Sequence, residues 1–221
     1  MSRERTTFRC IPAGLLGLAG AVSFSTGYAN TVISEALYDA AGTDNGAVFV
    51  ELFGTPGTAL DGLLLEGVNG GDGSVYRSVA LSGTIPADGV FVIADDSGDG
   101  TTLVSAANLI VEVDFQNGPD SIVLRDASGV LDALGYGDFS GAVFAGEGNA
   151  APDPASGSSL ARLDPGLDTG DNLADFAVLD IPTPGAVPVS SVPLPPALAL
   201  FLSGVFGIWG ISRPARAPVR A

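Results

Sequence analysis

Apolar residues between positions 30 and 187 fall into short runs separated by turn residues, and none of the runs carries a sustained helical stripe. The first five are Val32 to Tyr38, Ala47 to Phe53, Leu60 to Glu66, Val75 to Leu81 and Val90 to Ala94. Leu109 to Phe115, Ser121 to Arg125, Val130 to Tyr136, Ser159 to Leu163 and Phe176 to Leu179 follow. Each has the length and the Val, Ile, Leu and Phe content of a strand. Between them lie Asp44-Asn45-Gly46, Asn69-Gly70-Gly71-Asp72-Gly73 and Asp99-Gly100, all of them turn chemistry. The pattern predicts an all-β antiparallel sandwich of about seven to nine strands. Alternation in the second run puts Val48, Val50 and Leu52 on one face and Phe49, Glu51 and Phe53 on the other. Glu51 is therefore expected either to meet water or to pair with an Arg.

Composition removes several chemistries. The 221 residues contain no His and one Cys, Cys10, so His-based nucleophilic sites, His-ligated zinc, Cys clusters and internal disulfides are excluded. Gly (31) and Pro (15) are abundant without a collagen period, which suits many short turns. Residues 30–187 hold 24 acidic residues against three Arg, at 77, 125 and 162, for a net charge near −21. Such a surface repels phosphate backbones, which argues against nucleic acid and anionic lipid as partners.

The ends of the chain carry a different pattern. Arg3, Arg5 and Arg9 precede an apolar stretch from Ile11 to Phe24, and Gly27-Tyr28-Ala29 places small residues as a cleavage site requires. Residues 1–29 thus read as a secretory signal peptide that leaves with Cys10. At the other end, residues 188–221 contain Val192, Pro193, Leu194, Pro195 and Pro196, then an apolar helix over 197–212, then Arg213, Arg216 and Arg220 within 213–220. The Arg cluster predicts a cytoplasmic C-terminus, and the apolar run is short for a permanent transmembrane helix. This ending resembles the bacterial PEP-CTERM class of sorting signals in its VPLPA variant, with Pro196 where that variant usually has Ala. The resemblance implies an exosortase-type enzyme of the inner membrane as a partner. It also implies transient membrane anchoring through the C-terminal helix, then placement at the cell surface or outside the cell. A simple tail anchor is the alternative that the same helix allows.

The order of motifs in residues 30–187 resembles the bacterial lamin-tail domain. The likeness rests on Ile33-Ser34-Glu35, Phe49-Val50-Glu51-Leu52 and Leu60-Asp61-Gly62-Leu63-Leu64-Leu65 in the first part. It continues through Ile85-Pro86-Ala87-Asp88-Gly89, Asp120-Ser121-Ile122-Val123-Leu124 and Val130-Leu131-Asp132-Ala133-Leu134. Ser159-Leu160-Ala161-Arg162, Asp168-Thr169-Gly170-Asp171-Asn172 and Pro182-Thr183-Pro184-Gly185 complete the series, with Leu63 where the family commonly carries Trp. What the resemblance implies is an immunoglobulin-like sandwich used as a binding or structural module, with no catalytic residues to carry over.

Candidate sites are acidic. Asp95, Ser97 and Asp99 alternate ahead of Gly100, as in the first half of an EF-hand-like calcium loop, but Ala106 stands at the twelfth position, where a bidentate Glu belongs. Asp168 and Asp171, with Asp164, Asn172 and Asp175, form a second stretch that offers carboxylates to calcium or closes a loop through Asx turns. Glu35 and Glu51 belong on neighbouring strands, where a carboxylate pair could catalyse glycoside hydrolysis. No aromatic sugar platform accompanies them, since the one Trp, Trp209, is in the apolar tail. Pairing with Arg77, Arg125 or Arg162 is the favoured expectation.

Taken together, the sequence leads to an exported, non-enzymatic module without a cofactor, acting in adhesion or matrix building at the cell surface. A calcium-dependent module that binds extracellular polysaccharide or surface proteins is the alternative, and a carboxylate-based hydrolase is the remote one.

Overall fold

The computed structural model describes residues 31–141 and 143–186. The signal peptide 1–29 and the sorting segment 188–221, with Val192 to Pro196, lie outside the described residues. Ten strands run in order as β1 (Val32–Leu37), β2 (Phe49–Phe53), β3 (Leu64–Asn69), β4 (Val75–Ala80), β5 (Val90–Ala94), β6 (Leu109–Ile110), β7 (Asp120–Arg125), β8 (Val130–Tyr136), β9 (Ser159–Arg162) and β10 (Phe176–Leu179). One helical turn, α1 (Asn172–Asp175), precedes β10. Among the described residues no helix is long and apolar enough to cross a membrane.

The strands form a six-stranded sheet ordered β10-β9-β1-β2-β5-β6 and a four-stranded sheet ordered β4-β3-β7-β8. Ile33, Leu52, Phe91, Ile93 and Leu160 of the first sheet meet Leu65, Val79, Ile122, Leu124, Leu134 and Tyr136 of the second in one buried cluster. Period-two alternation supplies these residues from one face of each strand, so the chain folds as a β-sandwich. Tyr38 and Tyr136 stack within it with ring centroids 4.0 Å apart.

Three details depart from the sequence pattern. Among the described residues all ten apolar runs form strands, against the seven to nine expected, although the Leu109 to Phe115 run contributes only the two-residue β6. It also pairs with β5 in parallel, against the antiparallel expectation. The connection from β5 lays Val104, Ala106 and Ala107 over the outer face of the six-stranded sheet, on Phe49, Val90 and Val92, and returns alongside β5 in the same direction. The run expected at Leu60 to Glu66 becomes a strand only from Leu64, since Asp61-Gly62 forms a turn in which the Leu63 N–H donates to the Leu60 carbonyl at 3.1 Å. Gly62 takes φ +91, which suits glycine, while Leu60 and Leu63 still reach the core.

Candidate functional site

Backbone N–H groups, two of them from distant segments, bond the carboxylates of the Asp95–Gly100 loop. Asp95 is buried, its Oδ2 accepting from Gly46 N–H at 2.8 Å and its Oδ1 from Val113 N–H at 3.1 Å, so it fastens the loop to two distant segments. Asp96 accepts from the N–H groups of Gly98 and Gly100, both at 2.8 Å. Asp99 accepts from Thr101 through its N–H at 3.1 Å and its hydroxyl at 2.6 Å. These Thr101 bonds hold the Asp99 carboxyl below its ordinary value. Ser97 sits in the turn, its N–H donating to the Thr101 carbonyl at 2.8 Å.

A second acidic centre forms at the seam between the sheets. Arg162 on β9 shares its face with Leu160, and Asp132 on β8 shares its face with Leu134 and Tyr136, so both charges point into the core. They meet fully buried: the Nη2 of Arg162 donates to both Asp132 oxygens at 2.9 Å. Its Nη1 donates to Asp175 Oδ2 at 3.0 Å and lies 3.6 Å from Asp168 Oδ1, while its Nε donates to the Ile33 carbonyl at 3.0 Å. The guanidinium also sits 4.6 Å from the centre of the Phe176 ring. One oxygen each of Asp132, Glu147 and Asp168 lie within 4.8 Å of one another. Burial first, then the charges of Asp132 and Asp168, push the Glu147 carboxyl up to about 7 against the pull of Arg162. Asp168 thus joins a group that could approach a cation. Asp171 does not: it accepts from Asn149 N–H and Nδ2, each at 3.0 Å, and caps α1 through Leu173 N–H at 3.2 Å.

Glu35 and Glu51 do face each other, directly paired across β1 and β2, but on the outer face of the six-stranded sheet. A register shift makes Ser34 the extra residue of a bulge, and its hydroxyl donates to Glu51 Oε1 at 2.7 Å. Neither glutamate is solvated, and among the described residues neither meets an Arg, which corrects both expectations. A strap formed by Pro182-Thr183-Pro184-Gly185 lies over them instead. Thr183 donates its N–H to Glu35 Oε1 and its hydroxyl to Glu35 Oε2, both at 2.8 Å, and Ser159 adds a 2.6 Å bond to Oε1. Gly185 N–H donates to Glu51 Oε2 at 2.8 Å. Burial pushes the Glu51 carboxyl up, the Ser34 and Gly185 bonds pull it down, and Glu35 and Asp88 push it up again, for a net rise. Comparison with protein-family models, with curated proteins and with solved structures finds no match.

The buried Arg162–Asp132 pair was not expected from the candidate list, yet a signal exists. Both charges occupy core-facing positions of otherwise apolar alternations, where an unpaired charge is untenable, so each needs the other. Glu147 carries no comparable signal, because it lies in the irregular segment between β8 and β9.

Proposed function

We propose that the protein is an exported, surface-sorted, non-enzymatic module with a structural or adhesive role in the cell envelope or extracellular matrix. Within this reading the sandwich is immunoglobulin-like and akin to lamin-tail domains. The observation that carries it is the strap: its three donors close over Glu35 and Glu51. Both carboxylates of the cross-strand pair are thereby spent on sealing the fold, a few residues ahead of Val192. Replacing Pro193 and Pro195 together by Ala in the native host tests the sorting half of the reading. The variant is expected to stay in the inner-membrane fraction while the wild type reaches the surface or the medium; identical distributions contradict it.

A calcium-dependent module that holds polysaccharide or surface proteins is the second reading, favoured by the approach of Asp168 to Asp132 and Glu147. It requires a rise in Tm on adding calcium that EDTA reverses, since a ligand bound by the folded state alone stabilises it by mass action.

A further inference from the structure

We propose that the Pro182–Gly185 strap is a pH-responsive latch over the Glu35–Glu51 pair, held closed in acid and loosened as the pH rises. Side chains directly opposite on antiparallel strands have Cβ atoms about 4.5–5.5 Å apart, a distance at which like charges repel. Both glutamates are fully buried. All three Arg residues between positions 31 and 186 are committed to other carboxylates: Arg77 to Glu112, Arg125 to Glu66, and Arg162 to Asp132, Asp168 and Asp175. The pair is therefore held by neutral donors alone, three from the strap and two from Ser34 and Ser159.

The strap stands in for water. When it lifts, solvent returns to Glu51, which favours its ionised form; when it closes, burial disfavours it. The charged groups acting on Glu51 are Glu35 from β1 and Asp88 from the turn before β5, both negative, and its cross-strand neighbour on β5 is Val92. The strap itself brings no charge. A proton on Glu51 Oε1 is compatible with closure, because the Ser34 hydroxyl can turn to accept while Gly185 continues to donate to Oε2. The raised Glu51 value in the closed state agrees with this geometry. Closure therefore takes up a proton. The extra hold is complete below the ordinary glutamate value, about 4.3, and is lost as the pH climbs through the higher closed-state value.

The test is amide hydrogen exchange of the 180–187 segment in the full-length chain in detergent, corrected for the intrinsic pH dependence of exchange. This readout does not involve the sorting machinery, so it stands or falls separately from the sorting reading. Opening in the wild type is expected to rise by up to about tenfold per pH unit from about pH 4.5 and then level off. Glu51→Gln should remove the slope. Thr183→Val, which leaves both glutamates in place, should raise opening about tenfold at every pH and keep the slope. A flat wild-type profile, or a slope that survives in Glu51→Gln, overturns the proposal.

Discussion

Replacing Arg162 by Met removes the guanidinium at the seam of the two sheets while keeping most of the side-chain volume. Asp132 then retains the Ile33 N–H bond at 2.6 Å and the Ala133 N–H bond at 3.0 Å but loses both of its 2.9 Å bonds to Arg162. Asp175 loses its 3.0 Å bond to Arg162 and keeps Thr169 N–H at 2.9 Å and the Thr169 hydroxyl at 2.6 Å. Leaving one member of a buried ion pair unmatched costs about 3–5 kcal/mol. That is a large share of the ~5–15 kcal/mol that holds a domain of this size. Asp132→Leu alone should cost less, about 1–3 kcal/mol, because Arg162 loses its two Asp132 bonds but keeps Asp175 at 3.0 Å and Asp168 at 3.6 Å. The double variant Arg162→Met with Asp132→Leu should cost less than the sum of the two, since Asp132 no longer stands buried without its cation, but it should not return to wild type because Asp175 has still lost Arg162. Urea unfolding of all four proteins, read from midpoints at constant slope, measures the cycle. Single substitutions costing less than about 1 kcal/mol, or a double variant whose losses simply add, would refute the buried-pair reasoning.

Two further outcomes follow from the same geometry. Glu147→Gln should stabilise the protein at pH 8 and leave it unchanged at pH 4. The raised value of about 7 means that folding favours protonated Glu147, a contribution present below the unfolded value of 4.5 and lost as the pH rises through 7. Because this side chain is half-buried, the gain is at most about 1 kcal/mol, and paired thermal melts at the two pH values would show it. Gly67→Ala on β3 should destabilise by about 1–3 kcal/mol. Its new methyl would lie 2.5 Å from a ring carbon of Tyr76 and 2.7 Å from one of Phe115, and a urea midpoint unchanged from wild type would count against so tight a fit.

Strands were legible wherever period-two alternation met clean turn residues. Asn69 to Gly73 closes the β3–β4 hairpin as its composition suggests, with Gly73 N–H donating to the Asn69 carbonyl at 2.7 Å. The Leu109 to Phe115 run misled because apolar content alone does not make a ladder: beyond Ile110 it is held by single bonds, such as Val113 N–H to Asp95. The adjacency of Glu35 and Glu51 was readable from strand order. Their strap was not, because Thr183 is 148 positions from Glu35 and no local pattern encodes a contact at that separation. The Asp95 loop reads as a ligand set because carboxylates at alternate positions serve cations and backbone N–H groups alike, and only the fold shows the N–H groups that bond Asp95, Asp96 and Asp99.

The claim that this is an exported and sorted module is tested most directly by the intact mass and both terminal sequences of the protein recovered from membrane, surface and medium of its host. The predicted species begins at Asn30, ends near the Val192–Pro196 motif and lies outside the inner membrane. A chain that keeps residues 197–221 and is found only in the membrane fraction would contradict the claim.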